Sequence, residues 1–595
     1  MPRPWNTLSY KDFLGEFDGV PAEAQPGQAV EARNVYKNRD ALKRRAGFTA
    51  LGSALSPAQS HDGLFWAKIA STEYLIGAHN GLLADWFNAS PGATLTNSTG
   101  KLTSGSDANA TWLDAKVYWG DGTKQNVRFD GTDVVQVLTE TPSSAVTVAV
   151  GAATGPTGTY TYYVTFVSDD GNHSPVGPLS GSVSVTNQKV SITNIPTCGA
   201  GQDCSGRGIW RNKNNTTDYY LVTIVSGNVT TTYTDETTDA NLGIALTDVL
   251  GANLQNERFP PCRYLITHQN RLVGAWSAAS GFDKQTVYLS NYREPWYSPS
   301  VPDLDDPNQG SHFPLQGPGA GEVTGLASHG NQIAVFTADA AWLLTTSDQL
   351  LDYTLHRFSN HGCVAHRTIA SVKDRLIWAS SDGIYMAQEG QGVTRISEDI
   401  KTTYQAISAA DLAKSFAMVW DDRYYFCWPS GCRVFDLKYG IWTRNTNWTW
   451  RVGAVTALGQ AVERMYGALS NTARVFRLEN GADDNGTAIT AKWTSHDIDF
   501  GMPGREKRLF FINFRWKAAT GTVTVRLYKD TGTTAIQTAT KDLSEVDQTG
   551  GTVSSLRQRC AEQARGEWFR LEMEYSGSAS DFQLLQVEAL FAQIT

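Results

Sequence analysis

Asp421 and Asp422 stand side by side. Two carboxylates can hydrolyse a glycosidic bond when one acts as acid and the other as base or nucleophile from the opposite side. Adjacent strand residues point to opposite faces, so this pair is badly placed for that work and reads as a turn before a strand. "DLDDPNQG", Asp303 to Gly310, has the acidic spacing of a calcium loop, but the twelfth position is Pro314 where an EF-hand needs Glu. A looser calcium site stays open there; a polar loop is the default. "HGCVAH" puts His361 and His366 around Cys363 without the second half-site that zinc requires. Cys427 and Cys432 fall on a hairpin and Cys198 and Cys204 in one loop, neither as a CxxC pair. "GPGAGEVTG", Gly317 to Gly325, lacks the Lys-Ser/Thr ending of a phosphate loop and reads as a connection between sheets. The Ser-x-Asp-x-Gly-x-Thr-Trp box of sialidases is absent. The expectation is a non-enzyme with no catalytic, cofactor or metal residues.

The elements that would position any such residues repeat. "DRLIWASSDGIYM" from Asp374 has near-copies in "NRLVGAW" from Asn270, "NQIAVFT" from Asn331, "DRYYFCW" from Asp422 and "ERMYGAL" from Glu463. "EYLIGAH" from Glu73 and "DAKVYWG" from Asp114 are weaker copies. In "RLIWA", Leu376 and Trp378 lie on one face and Ile377 on the other, so both faces need burial. Short runs of β-branched and aromatic residues ending at Gly/Ser turns are strands. Antiparallel strands buried on both sides arise where small sheets stack face to face, as in a propeller. From Asn331 to Glu463, and from Glu73 to Asp114, the copies recur at intervals of about 41 to 48 positions, the length of a four-stranded blade. The pattern predicts six or seven blades.

The interval from Asp114 to Asn270, about 156 positions, is too long for one blade. "GTYTYYVTFVSDDGNHSPVGP" alternates Tyr160, Tyr162, Val164 and Phe166 on one face, and "GIWRNKNNTTDYYLVTIV" supplies later strands. Residues 141–245 resemble a fibronectin type III-like sandwich. A second sandwich is expected at the end of the chain, with a helix needed only near Ser555 to Arg565. The predicted architecture is all-β: an N-terminal segment and first blades (1–140), the inserted sandwich (141–245), the remaining blades (246–485) and a C-terminal β-sandwich (486–595).

Composition agrees. The 595 residues are rich in Gly, Trp and Tyr, and only 18% are charged. A net charge of −9 argues against a dedicated nucleic-acid binder. "LKRRAGF", Leu42 to Phe48, is the only tight basic cluster and reads as a solvated turn between strands. No apolar run is long enough to span a membrane, and the opening "MPRPWNTLSYKDF" has no signal-peptide core. Seven cysteines without framework spacing suit folding in a reducing cytoplasm. Most aromatics fall at repeat positions; Trp5, Trp296 and Trp448 read as loop residues available to a partner.

"EFDGVPAEAQPGQAVEARNVYKNRDALKRRAGF" resembles the opening of tail proteins from short-tailed phages. The shared features are Pro26 to Ala29, Asn34-Val35 and Arg45 to Gly47. "QNRLVGAW…TVYLSNYREPWYS", Gln269 to Ser298, is also similar to that group. The whole resembles the podovirus tail nozzle family, also called tail tubular protein B. The resemblance implies a homo-hexameric ring in the virion tail, folded and assembled in the bacterial cytoplasm. It implies docking to a head-to-tail adaptor and to fibres or spikes, with genomic DNA passing through the lumen without sequence-specific binding. It implies no cofactor. Six copies would carry roughly −54 formal charges, a field that lets phosphates slide rather than stick. Both sandwiches and the loop from Tyr292 to Trp296 are the expected contact surfaces. The competing expectation is a glycan-binding or glycan-cleaving propeller.

Overall fold

In a computed structural model of the protein, all seven repeated phrases form the second strand of a four-stranded antiparallel blade; six blades are separate sheets, and the one holding the Asp422 copy is the end of a ten-stranded sheet. The structure describes residues 6–19, 24–25, 27–55, 61–88, 90–137, 140–214, 216–250, 258–298, 308–345, 353–388, 392–456, 463–469, 472–517, 520–542, 554–562, 564–577 and 582–594. The second strands are Thr72–His79, Lys116–Gly120, Arg271–Ala275, Gln332–Phe336, Arg375–Ala379, Arg423–Trp428 and Met465–Leu469, and they define blades 1 to 7.

Their innermost strands are His61–Ile69, Asn109–Leu113, Tyr264–His268, Gly325–His329, Ala370–Val372, Phe416–Trp420 and Trp450–Val455. Each packs beside the next, and the last returns to the first, so the ring closes at seven. The protein is an all-β propeller with an inserted fibronectin type III-like sandwich and a C-terminal β-sandwich.

The double-sided burial of the repeat has a direct cause. Ile333 and Val335 pack toward blade 3, while Ala334 and Phe336 pack toward blade 5. Leu376 and Trp378 face blade 4; Ile377 and Ala379 face blade 6. Tyr424 and Phe426 face blade 5; Tyr425 and Cys427 face blade 7. A strand whose faces both meet another sheet has no wet side, so alternation disappears from its sequence. The turns before these strands need left-handed backbone, supplied for example by Asp421 at φ 50° and Asp422 at φ 55°.

Blade 7 is closed from the other end of the chain. Its outermost strand is Thr49–Leu51, antiparallel to Val475–Leu478. The strands before it do not enter blade 1. Asn6–Tyr10 pairs with Gln583–Gln593, Val35–Asn38 and Ala41–Arg44 extend the same sheet, and Gln28–Arg33 pairs with Thr490–Ser495. The terminal sandwich is therefore built from both ends of the chain around Phe13, Trp493, Phe514, Trp516 and Tyr575. One of its sheets continues into blade 6 through a parallel pairing of Arg33 with Arg444. The segment near Ser555, expected as the one place for a helix, is the strand Ser554–Arg559. It lies antiparallel to Lys507–Lys517, whose pairing demand outweighs its local helical composition.

The inserted sandwich packs Tyr160, Tyr162, Val164, Val190, Ile192 and Ile209 between its sheets. Inside it Arg211 pairs with Asp235 at 2.7 Å, both side chains fully buried, and the Tyr162 hydroxyl donates to the same carboxylate at 2.8 Å. Cys198 and Cys204 are joined by a disulfide. Among the described residues, no helix is long and apolar enough to cross a membrane.

Candidate functional site

Three charged assemblies hold the parts together or open to solvent. The first is a clamp between the propeller and the terminal sandwich. Arg45 donates through both terminal guanidinium nitrogens to Asp484, at 2.7 and 2.6 Å, and its Nε donates to Asn34 Oδ1 at 2.9 Å. Asn34, at φ 56°, donates its amide hydrogens to Thr446 Oγ1 and to the Thr490 carbonyl, both at 2.8 Å. Arg45 also lies over the ring of Trp448, 5.2 Å from its centroid. A Cβ at Gly47 would stand 1.7 Å from the Asp483 carbonyl oxygen, so only glycine fits.

This corrects two expectations. The basic cluster is no solvated turn: Arg44 is 1% exposed and Arg45 fully buried, because carboxylate and carbonyl partners from the far end of the chain satisfy the charge. Trp448 is no partner-facing loop residue either. It is fully buried, stacked on Tyr425 with centroids 5.4 Å apart.

The second assembly seats the inserted sandwich. Arg128, on blade 2, donates from Nε and Nη2 to Asp203 of the insert at 2.6 and 2.8 Å. It also reaches Asp169 at 3.1 Å and Asp130 at 2.9 Å. Burial opposes the Arg128 charge, but the hydrogen bonds and charge of Asp203 and Asp130 more than offset it, so its pKa is raised. Backbone bonds from Gln136 N to Gly201 O and from Asp203 N to Gln136 O add to the seat, as do Lys101 Nζ donating to the Gly201 carbonyl at 2.9 Å and an ion pair of Lys116 with Asp170. Trp296 lies at its edge, half-buried against the core of blades 2 and 3, so it supports this joint more than it faces outward. Tyr292, in the same loop, is exposed. Trp5 lies outside the described residues.

The third assembly is the candidate site, at one mouth of the propeller axis. Asp62, Asp107, Arg263, Arg367, Lys414 and Arg451 each lie at or just before the innermost strand of a different blade. All but Asp62 line a cavity of about 250 Å3. Asp107 is the hub: Arg367 reaches it at 3.0 Å, Arg451 at 3.2 Å and Arg263 at 3.4 Å. Arg451 also approaches Asp62 at 3.7 Å. Burial works to raise the Asp107 carboxyl, but Arg367, Arg451 and Arg263 together bring it below the usual carboxylate range. Asp62 goes the other way, pushed up by burial against the pull of Arg451. The His366 imidazole, also lining the cavity, is driven down to about 3 by burial, with Arg367 adding to the effect. His366 Nε2 meets the Asn109 amide at 2.9 Å.

The residues singled out by sequence are elsewhere. Asp421 pairs with Arg423 at 2.6 Å and Asp422 with Lys373 at 3.0 Å, both in the turn of blade 6. Cys363 is buried, its thiol donating to the Ala365 carbonyl at 3.2 Å, and His361 stacks on Tyr385 with centroids 4.0 Å apart. Cys427 and Cys432 face each other across the hairpin, buried, with sulfurs 3.3 Å apart. Gly317 to Gly325 joins blades 3 and 4. Asp303 to Pro307 lies outside the described residues. No group of three or more metal-ligating side chains occurs among the described residues. The repeated phrases mark the second strand of each blade and leave the axial charges unmarked, since these lie at or just before the first.

The fold and its charged mouth define a seven-bladed β-propeller protein carrying two β-sandwiches. No family model matches the chain, and no curated protein does. Among solved structures it is similar to YCF48 bound to D1 peptide, at 6% identity over 72% of this chain and 94% of that one, with a TM-score of 0.25. The Pan2 WD40 domain of Neurospora crassa is similar at 6% identity over 63% and 88%, with a TM-score of 0.26. These superpositions are too loose to say anything of function, and the propeller is read from the strand pairing itself.

Proposed function

We propose that this chain is a structural protein of a short-tailed phage virion, the ring-forming subunit of the tail nozzle. The observation that supports this most is the clamp. Asn34, Arg45 and Gly47, which carry the resemblance to that family, are the residues that lock the start of the chain to the last blade and the terminal sandwich. These residues serve the joining of the chain's two ends and are not a detachable surface motif. Pro26, the first residue of the shared phrase, lies outside the described residues.

In this reading six copies close a ring through heterologous contacts. Val150, Ile224 and Val229, exposed on the inserted sandwich, offer apolar surface for a neighbouring copy to cover. The adaptor binds one rim, fibres or spikes the flanks, and DNA leaves through the lumen between copies. Electron microscopy of the purified chain, alone and mixed with virion tail stubs, is the test. A six-fold ring with a central hole, formed alone or on the stub, is the expected result. A persistent monomer that ignores tails would reject the nozzle and favour a glycan-binding or glycan-cleaving propeller.

A further inference from the structure

We propose that the axial mouth of the propeller binds a small oxyanion, a carboxylate or phosphate group held among Arg263, Arg367, Arg451 and Lys414. Three arginines, Arg263, Arg367 and Arg451, converge there on two carboxylates, Asp62 and Asp107, and Lys414 lines the same cavity. A purely structural ion-pair network tends toward balance, because unpaired like charges at close range repel. This cluster is not balanced: among the described residues, the exposed Lys414 ammonium pairs with no carboxylate. Arg367 is held below the ordinary arginine range by burial, which outweighs Asp107, and by the neighbouring Arg451 and Arg263 charges. A bound anion relieves that repulsion.

The geometry suits the ligand. The guanidinium groups come from blades 3, 5 and 7 and so surround the axis rather than lining one wall. Their planar forks match the paired oxygens of carboxylate and phosphate. A cavity of about 250 Å3 has room for such a group on a carrier no larger than a monosaccharide. The concentration of positive charge is local, since the chain as a whole is at −9. The inference stands apart from the tail reading, because a ring can form without anion binding and anion binding needs no ring.

The test is calorimetric titration of the full chain with inorganic phosphate, and separately with glucuronate, at matched ionic strength in sodium chloride, with glucose as the neutral control. Saturable binding of phosphate, glucuronate or both is expected, with none for glucose. Phosphate alone points to a phosphate source, glucuronate alone to an acidic sugar. Lys414→Ala removes an exposed side chain and should leave unliganded stability unchanged. It should weaken binding about tenfold, the scale of one charge-assisted hydrogen bond. Arg263→Met should weaken it further. Absence of saturable binding to either anion overturns the proposal. So does binding that both variants retain at wild-type strength, which would place the anion elsewhere.

Discussion

Arg45 and Asp484 form a bidentate ion pair in which neither side chain sees solvent, although 439 positions separate them along the chain. Such a pair contributes little to net stability, but breaking it strands a buried charge. Arg45→Met alone should cost about 3–5 kcal/mol in urea unfolding, and Asp484→Leu alone should cost a similar amount. The double variant should recover most of the loss. Additive losses would show that the two residues act independently.

The insert should come loose when Arg128 is removed. Arg128→Met deprives Asp203 of its buried partner and removes the contact with Asp169. The sandwich keeps its own core, so the far-UV spectrum should hardly change. Small-angle scattering should show a larger radius of gyration as the module swings out. An unchanged scattering curve would assign the seat to the contacts that remain, the backbone bonds at Gln136 and side-chain contacts such as Lys101 to the Gly201 carbonyl and Lys116 to Asp170.

His61 gives a pH dependence with a fixed direction. It is fully buried beside His79 and Trp86, and burial, with His79 adding to it, lowers its pKa to about 3. Between its ordinary value near 6.5 and about 3, the unfolded chain binds a proton that the folded chain refuses. Stability from this residue is complete above the ordinary value and falls as the pH falls, by about 2 kcal/mol from pH 7 to pH 5. The Glu16 and Glu479 carboxyls, raised by burial, act in the opposite sense over part of this range. The measurement is therefore a difference: denaturation profiles of wild type and His61→Leu should diverge in slope between pH 7 and 5. Parallel profiles would remove His61 as the source.

Thiol chemistry checks the packing of the blades. Cys262, Cys363, Cys427, Cys432 and Cys560 are all buried, and burial drives the Cys363 and Cys560 thiols up to about 12. A thiol that stays protonated behind packed side chains does not react. A disulfide-exchange reagent should find no free thiol in the native protein and five after denaturation without reductant. Fast labelling of the native chain would mean that a blade opens readily.

The blade strands are legible in the sequence because burial on both faces leaves a mark that few other arrangements leave. Trp378 and Ile377 point to opposite neighbours, and both must be apolar. The inserted sandwich is legible through the spacing it interrupts and the alternation from Tyr160 to Phe166. What escapes is long-range partnering. Val35–Asn38 and Ala41–Arg44 read as an isolated hairpin, since nothing local announces Gln583–Gln593. Arg45 reads as a surface charge until Asp484 is placed beside it. Trp448 sits between strands, where a loop is the natural reading, yet Tyr425 and Arg45 enclose it. The axial arginines fail for the same reason. Arg263, Arg367 and Arg451 are ordinary residues one at a time, and only closing the ring of blades brings them onto one carboxylate.

The strand that closes blade 7 sets a schedule for synthesis. Thr49–Leu51 leaves the ribosome early, and its partner Val475–Leu478 is made more than 400 residues later. At about 5–20 residues per second, the early strands wait roughly 20–90 seconds with their edges unpaired. During that interval the nascent chain can complete single blades but no ring, and its exposed edges are open to pairing with other chains. Anything that shelters residues 6–51 on the ribosome therefore governs the yield of the finished protein.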